Sequence, residues 1–265
     1  MIRTFVFGAS SFSKGRELIW LLARREISLR YSGSLLGSVW SFINLLGLLV
    51  VYSFVFGMVF KTRWGGVATE SQDHTILLFV GMLVHGLFAE CLSKAAPLIV
   101  ANSKYVKKLI SPLEILPWTI IGEALFHVAT GSVVLCLILL VLPGSQQWTL
   151  LYLSLILVPL FLFRAGLSWF VSALGVFFRD IVKLVGMVVA VMIFLSPVFY
   201  SIEALPERFR SYMLANPLTL AIEQEWQVLI YGTLPDPQVL LILLLFGGLG
   251  LWFFKKTRNG FCHVL

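Results

Sequence analysis

Residues Leu113–Leu142 read LEILPWTIIGEALFHVATGSVVLCLILLVL, a stretch long enough and poor enough in charge to cross a bilayer. A spanning helix needs about 20 predominantly apolar residues. Further runs of this kind are Leu35–Phe60, Thr75–Ser93, Thr149–Phe178, Leu184–Tyr200 and Gln238–Phe254. The expected fold class is therefore an all-α integral membrane protein with six transmembrane helices. An even number of spans puts both termini on one side of the membrane.

Composition points the same way. Of 265 residues, 59% are hydrophobic and 12% charged, and the mean hydropathy is +0.94. A soluble domain carries about 45–50% apolar and about 25% charged residues. The charge-poor stretches recur from residue 35 to the end with no long polar block between them. The chain thus divides into a cytoplasmic N-terminus (1–34), one six-span membrane domain (35–254) and a cytoplasmic tail (255–265), which leaves no room for a soluble catalytic domain. Cys91, Cys136 and Cys262 are far apart, a spacing that fits neither a disulfide framework nor a metal site. Met1–Ser13 lacks the basic start, long apolar core and cleavage site of a signal peptide.

Orientation follows from Lys and Arg, which are retained on the cytoplasmic side. With the N-terminus inside, fifteen of them fall in cytoplasmic segments and four, Lys61, Arg63, Arg208 and Arg210, on the opposite side; Arg164 lies within a span. Both termini are expected in the cytoplasm. The net charge of +7 is a topology signal and not a nucleic-acid footprint, because no basic stripe is interleaved with aromatics.

Three connecting segments carry more than linkage. Lys14–Arg30, KGRELIWLLARREISLR, mixes charge with Leu18, Trp20, Leu22, Ile27 and Leu29, as expected of a helix in the membrane interface. Arg25 falls on the same face as Leu18, Leu22 and Leu29, so retention by anionic lipid is the other reading. In Ala101–Ser111, ANSKYVKKLIS, Val106, Leu109 and Ile110 gather opposite Lys104, Lys107 and Lys108 on a helix; the segment is either an interfacial anchor or a plug for a partner's groove. Ser201–Pro237 is too long for a simple turn. It reads as Leu205–Ala215 and Leu218–Tyr231 around Asn216–Pro217, two short helices that either dip back into the membrane or lie on its surface.

The stretch Arg24–Trp40, RREISLRYSGSLLGSVW, with Arg30–Tyr31, Ser34, Leu36–Gly37 and Trp40, resembles the approach to the first span in permeases of type-2 ABC exporters. Within that family it is most similar to the subunits that export O-antigen and capsular polysaccharide. In order along the chain follow Ser111-Pro112-Leu113-Glu114-Ile115-Leu116-Pro117, Phe178-Arg179-Asp180, Ser196-Pro197 and Asn216-Pro217-Leu218, so the resemblance covers nearly the whole chain. One departure is Asn44, often followed by Pro in such permeases and here by Leu45, which puts in doubt a kink at that point.

The resemblance implies a homodimer in the bacterial cytoplasmic membrane, bound to two copies of a separate ABC ATPase and moving a polyprenyl-diphosphate-linked polysaccharide outward. No cofactor is expected on this chain; ATP and Mg would sit on the ATPase. The sequence contains no G-x-x-x-x-G-K-[ST] phosphate loop. The resemblance assigns ATPase coupling to the segment containing Asn102, Lys104, Tyr105, Val106, Lys107, Lys108, Leu109 and Ile110. It makes the N-terminal helix a second contact with the ATPase and the external helical hairpin a re-entrant gate.

Ionisable groups within spans cost about 2.5–3.5 kcal/mol for an Arg or Asp at a helix centre, so His85, Glu90, Glu123, His127 and Arg164 call for partners. Glu123 and His127 share a face at i, i+4. Arg164 either pairs with Glu123 or Glu90, or meets the substrate's diphosphate through its guanidinium fork. Arg30, Tyr31 and Arg179 at cytoplasmic span ends are candidates for the substrate entrance, against lipid anchoring. Trp40, Tyr52 and Phe56 are candidates for an aromatic glycan path, against interface anchoring and packing. Two other functions compete: a permease for a small lipid or drug, and a membrane-embedded glycan-processing enzyme, for which Glu90, Glu123 and His127 are the only support.

Overall fold

The computed structural model describes residues 19–28, 30, 32–55, 71–103, 115–141, 149–178 and 180–264, and their regular secondary structure is entirely helical. After a helix at residues 19–28, the elements are α1 (Val39–Tyr52), α2 (Ser71–Ala101), α3 (Ile115–Val141), α4 (Thr149–Phe177), α5 (Ile181–Met192), α6 (Glu207–Leu214), α7 (Pro217–Tyr231), α8 (Pro237–Thr257) and the short α9 (Phe261–Val264). Four stretches are long and apolar enough to cross a membrane: Ile76–Ala101, Ile115–Ile138, Leu155–Phe177 and Pro237–Gly260. Val39–Val55 and Ile181–Met192 are shorter apolar helices.

Two boundaries differ from the sequence reading. The second run continues past Ser93 to Ala101, and Asn102 closes it by donating from Nδ2 to Leu98 O at 2.8 Å. Ala101 therefore ends α2, Asn102 forms a turn and Ser103 is helical again; Lys104–Ser111, the rest of the expected short amphipathic helix, lie outside the described residues. The fifth run, expected to reach Tyr200, stops being helical at Met192. Pro197 explains this, because it has no N–H and its ring collides with the carbonyl four residues back, at Ile193.

The chain freed at that point is held by the start of α7. Asn216 Oδ1 accepts from Leu218 N at 3.0 Å, capping α7 with Pro217 in its first turn. Its Nδ2 donates to Leu195 O at 3.0 Å and to Ser196 Oγ at 3.3 Å. The Ser196-Pro197 and Asn216-Pro217-Leu218 motifs are thus two halves of one joint. Asn216→Ala should lower stability by about 0.5–2 kcal/mol, the usual cost of a lost cap. Asn216→Asp, which keeps the capping oxygen but loses the donor, should fall between parent and Ala in a thermal-unfolding series in detergent.

The core lies where α2, α3, α4 and α7 meet, around Leu78, Val80, Val134, Phe163, Leu218, Ala221 and Ile222. Trp226 donates its indole N–H to Leu77 O at 3.1 Å, fixing α7 to α2. Leu218, Ala221, Ile222 and Trp226 give α7 a buried face against the bundle. Against α4, helix α8 approaches at Gly166, Gly247 and Gly250, where a Cβ on any of the three would overlap backbone of the opposite helix. Small residues that let backbones meet are the usual basis of helix association in lipid. The far side of α8 exposes Leu241, Leu245, Leu249 and Trp252. Lys256 lies over the Trp252 ring at 5.0 Å near the helix end, as expected of residues at a membrane boundary.

Candidate functional site

The N-terminal helix docks on α3 where Ala23, almost fully buried, meets Gly122; a Cβ at Gly122 would collide with the Cβ of Ala23. Two positive-φ glycines, Gly33 (83°) and Gly37 (53°), then turn the chain into α1. Any side-chain-bearing residue is strained in that conformation, which gives the Leu36–Gly37 pair its physical meaning.

This docking brings Arg30 over the ionisable groups of α2 and α3. Arg30 Nη1 donates to Glu90 Oε1 in a short contact and to Glu123 Oε1 at 3.3 Å, and stands 2.9 Å from His127 Nε2. Lys94 Nζ lies 2.8 Å from Glu90 Oε1 and also binds Glu123 Oε1. His127 Nε2 is 3.6 Å from Glu90 Oε1. The helical spacing is what permits it: Glu90 and Lys94 share a face of α2, Glu123 and His127 share a face of α3. Glu123 is the buried member, with 5% of its side chain exposed, whereas Arg30 keeps 43% and so faces open space.

That space is a cavity of about 750 Å³ between α1 and α2, reached by His127 from α3 and lined by Arg30, Trp40, Asn44, Phe79, Glu90 and His127 among others. Its size is within the roughly 300–1,000 Å³ typical of ligand pockets. Most of its wall is apolar and its charged groups are gathered at one place. The arrangement suits an amphiphile, with an anionic group at the cluster and hydrocarbon along α1. Glu90, Glu123 and His127 also bring their ligand atoms within 4.8 Å of one another, a spacing compatible with a divalent cation. Arg30 and Lys94 already hold those oxygens, and their charge opposes a further cation.

The sequence-derived candidates separate on this geometry. Arg30 and Trp40 line the cavity. Tyr52 is instead stacked on Phe199 at 5.6 Å, in a packing position. Arg164 is not paired with Glu90 or Glu123, whose oxygens are taken by Arg30 and Lys94. Its side chain is 1% exposed and borders a separate cavity of about 20 Å³, smaller than a diphosphate. Tyr31, Phe56, Arg179 and the coupling residues Lys104, Tyr105, Val106, Lys107, Lys108, Leu109 and Ile110 lie outside the described residues. Lys94 and Asn44 were missed as site residues. Lys94 had a signal, its i, i+4 relation to Glu90, but a place in a basic connecting segment hid it; Asn44 sits in an unbroken apolar run.

Residues 17–225 match the ABC-2 type transporter family, and the chain belongs to it: it is a membrane permease of that family, built of the helices described above. Among its relatives are proteins named "O-antigen export system permease protein RfbA". That of Myxococcus xanthus is 27% identical over 258 residues, covering 94% of this chain and 96% of the relative, and one from Klebsiella pneumoniae is 25% identical over 256 residues, covering 94% and 95%. A more distant relative, "Polysialic acid transport protein KpsM" of Escherichia coli, is 21% identical over 242 residues, covering 89% and 90%. The family expected from the Arg24–Trp40 stretch and its companion motifs is thus borne out.

Proposed function

We propose that the chain is the membrane-spanning subunit of an ATP-driven exporter that carries a polyprenyl-diphosphate-linked polysaccharide, of O-antigen or capsule type, from cytoplasm to periplasm. The near full-length likeness to O-antigen and polysialic acid transport proteins supports the cargo class. The single observation in the molecule that carries the reading is the placement of Arg30 in the charged corner of a largely apolar cavity. A guanidinium fork matches diphosphate oxygens, and the apolar wall along α1 suits a polyprenyl chain.

In this reading six helices span the membrane. Two of them, α1 and α5, are short in their regular part, α6 and α7 form the re-entrant hairpin on the outer side, and both termini are cytoplasmic. Two copies assemble with two copies of a separate ATPase, which supplies the ATP and Mg chemistry. Force enters through the segment that follows Asn102, at the cytoplasmic end of α2. Glu90 and Glu123 hold Arg30 in the resting state, and the arriving diphosphate takes their place on the guanidinium while Lys94 and His127 retain the carboxylates. Trp40 offers its ring to the sugar end of the cargo.

The test is purification of the tagged chain from its native membranes in mild detergent, together with deletion of its gene. An ATPase bearing a phosphate loop should accompany the chain in equal amount, and the deletion strain should keep lipid-linked polymer inside the cell. Purification without an ATPase, or normal surface polysaccharide in the deletion strain, would overturn the reading. A glycan-processing enzyme is the weaker alternative, because the carboxylates it would use for proton transfer are held in ion pairs with Arg30 and Lys94.

A further inference from the structure

Away from the α1–α2 cavity, the deepest charges among the described residues are Arg164 on α4 and Glu225 on α7, with 1% and 4% of their surface exposed. Both line a small space of about 20 Å³ whose other walls are Val80, Val84, Leu87, Leu160 and further apolar side chains, with Ser132 the only other polar one among the described residues. Arg164 Nη2 reaches Val84 O only at 3.5 Å, and its Nη1 has no hydrogen-bond partner among the described residues. An isolated buried charge costs far more than a folded protein can spare unless it is paired. A space above roughly 10–15 Å³ bounded by polar groups takes one water.

We propose that Arg164 and Glu225, bridged by one water in this space, form a buried ionic latch that holds the external hairpin helix α7 against α2 and α4. The latch lies on the same helix as two other attachments, the Asn216 cap at its start and the Trp226 bond to Leu77. It differs from them in kind. The Asn216 and Trp226 bonds are neutral, whereas opening the latch leaves two charges in an apolar wall, so α7 is held as an all-or-none unit. The inference does not depend on what the protein carries.

The two partners are not equivalent on removal. Arginine keeps its charge under any condition in a protein, whereas an unpaired carboxyl can take up a proton. Glu225→Gln should therefore be worse than Arg164→Gln, and the double variant, with no charge left to bury, should recover. The readout is maleimide labelling, in isolated membranes, of a cysteine introduced by Val228→Cys on the buried face of α7, with Cys91, Cys136 and Cys262 changed to alanine. Glu225→Gln should label about tenfold faster or more than the parent, Arg164→Gln less so, and the double variant within a few-fold of the parent, as expected when a buried pair is removed whole and not by halves. If Glu225→Gln is too unstable to accumulate, accumulation of the double variant gives the same answer. Protection of Glu225→Gln equal to the parent, or a double variant as labile as Glu225→Gln, would overturn the latch.

Discussion

Gly250→Leu is expected to abolish accumulation of folded protein, the largest structural effect of any single substitution proposed for this chain. A side chain there has no pocket to enter, because the position of its Cβ coincides with backbone of Gly166, and Gly247 is pressed in the same way against Leu162. The collision is with a helix backbone and not with the flexible end of a side chain, so it is relieved only by moving α8 away from α4. That movement would also separate Phe163 from Phe246, whose rings meet edge to face at 6.3 Å, and uncover Leu243 and Phe254, both fully buried. Ordinary overpacking costs about 1–3 kcal/mol; loss of this whole interface should exceed it. Size-exclusion profiles of tagged protein in detergent provide the check, with Leu249→Ala on the exposed side of α8 as a control expected to behave like the parent. A monodisperse Gly250→Leu protein with the parent's melting temperature would mean that α8 does not depend on this contact.

None of that contact was visible in the sequence. Glycines in an apolar run are ambiguous, since neither Gly166 nor Gly247 reports what lies opposite. What was legible followed from local chemistry: the four long apolar helices, the short helices either side of Asn216–Pro217, and the need of Glu90, Glu123 and His127 for polar partners. The errors arose where partners come from distant segments. Arg164 was matched with Glu123 or Glu90 because all three lie within spans, yet that says nothing about which side of a helix a residue faces, and Glu225 was hidden in a segment read as external. Pro197 was readable as a helix breaker, but the run of apolar residues through Tyr200 outweighed it. In a membrane protein apolar content is high almost everywhere, so it marks spans well and distinguishes helix from turn poorly.

Arg30→Ala is expected to reduce glycan export by roughly 10–100-fold, the factor that corresponds to a charge-assisted hydrogen bond of about 1.5–3 kcal/mol. The substitution removes the group placed to meet the diphosphate, and it leaves Glu90 and Glu123 to Lys94 and His127. Those remaining partners are what make the experiment interpretable: the carboxylates stay compensated, so the protein should insert and assemble normally. Arg30→Lys should recover part of the activity, since it restores the charge without the fork. Glu90→Gln separates binding from packing. If Glu90 is the resting partner that the diphosphate displaces, its removal frees the guanidinium and should leave binding of polyprenyl diphosphate to the purified protein as tight as in the parent, or tighter. If Arg30 instead serves only to stitch the N-terminal segment to α2, then Glu90→Gln and Arg30→Ala should be equally harmful, because either one breaks the same pair. The ratio of the two effects therefore decides between a ligand-exchange site and a structural ion pair: strong impairment in Arg30→Ala with retained binding in Glu90→Gln supports exchange, and matched impairment rules it out.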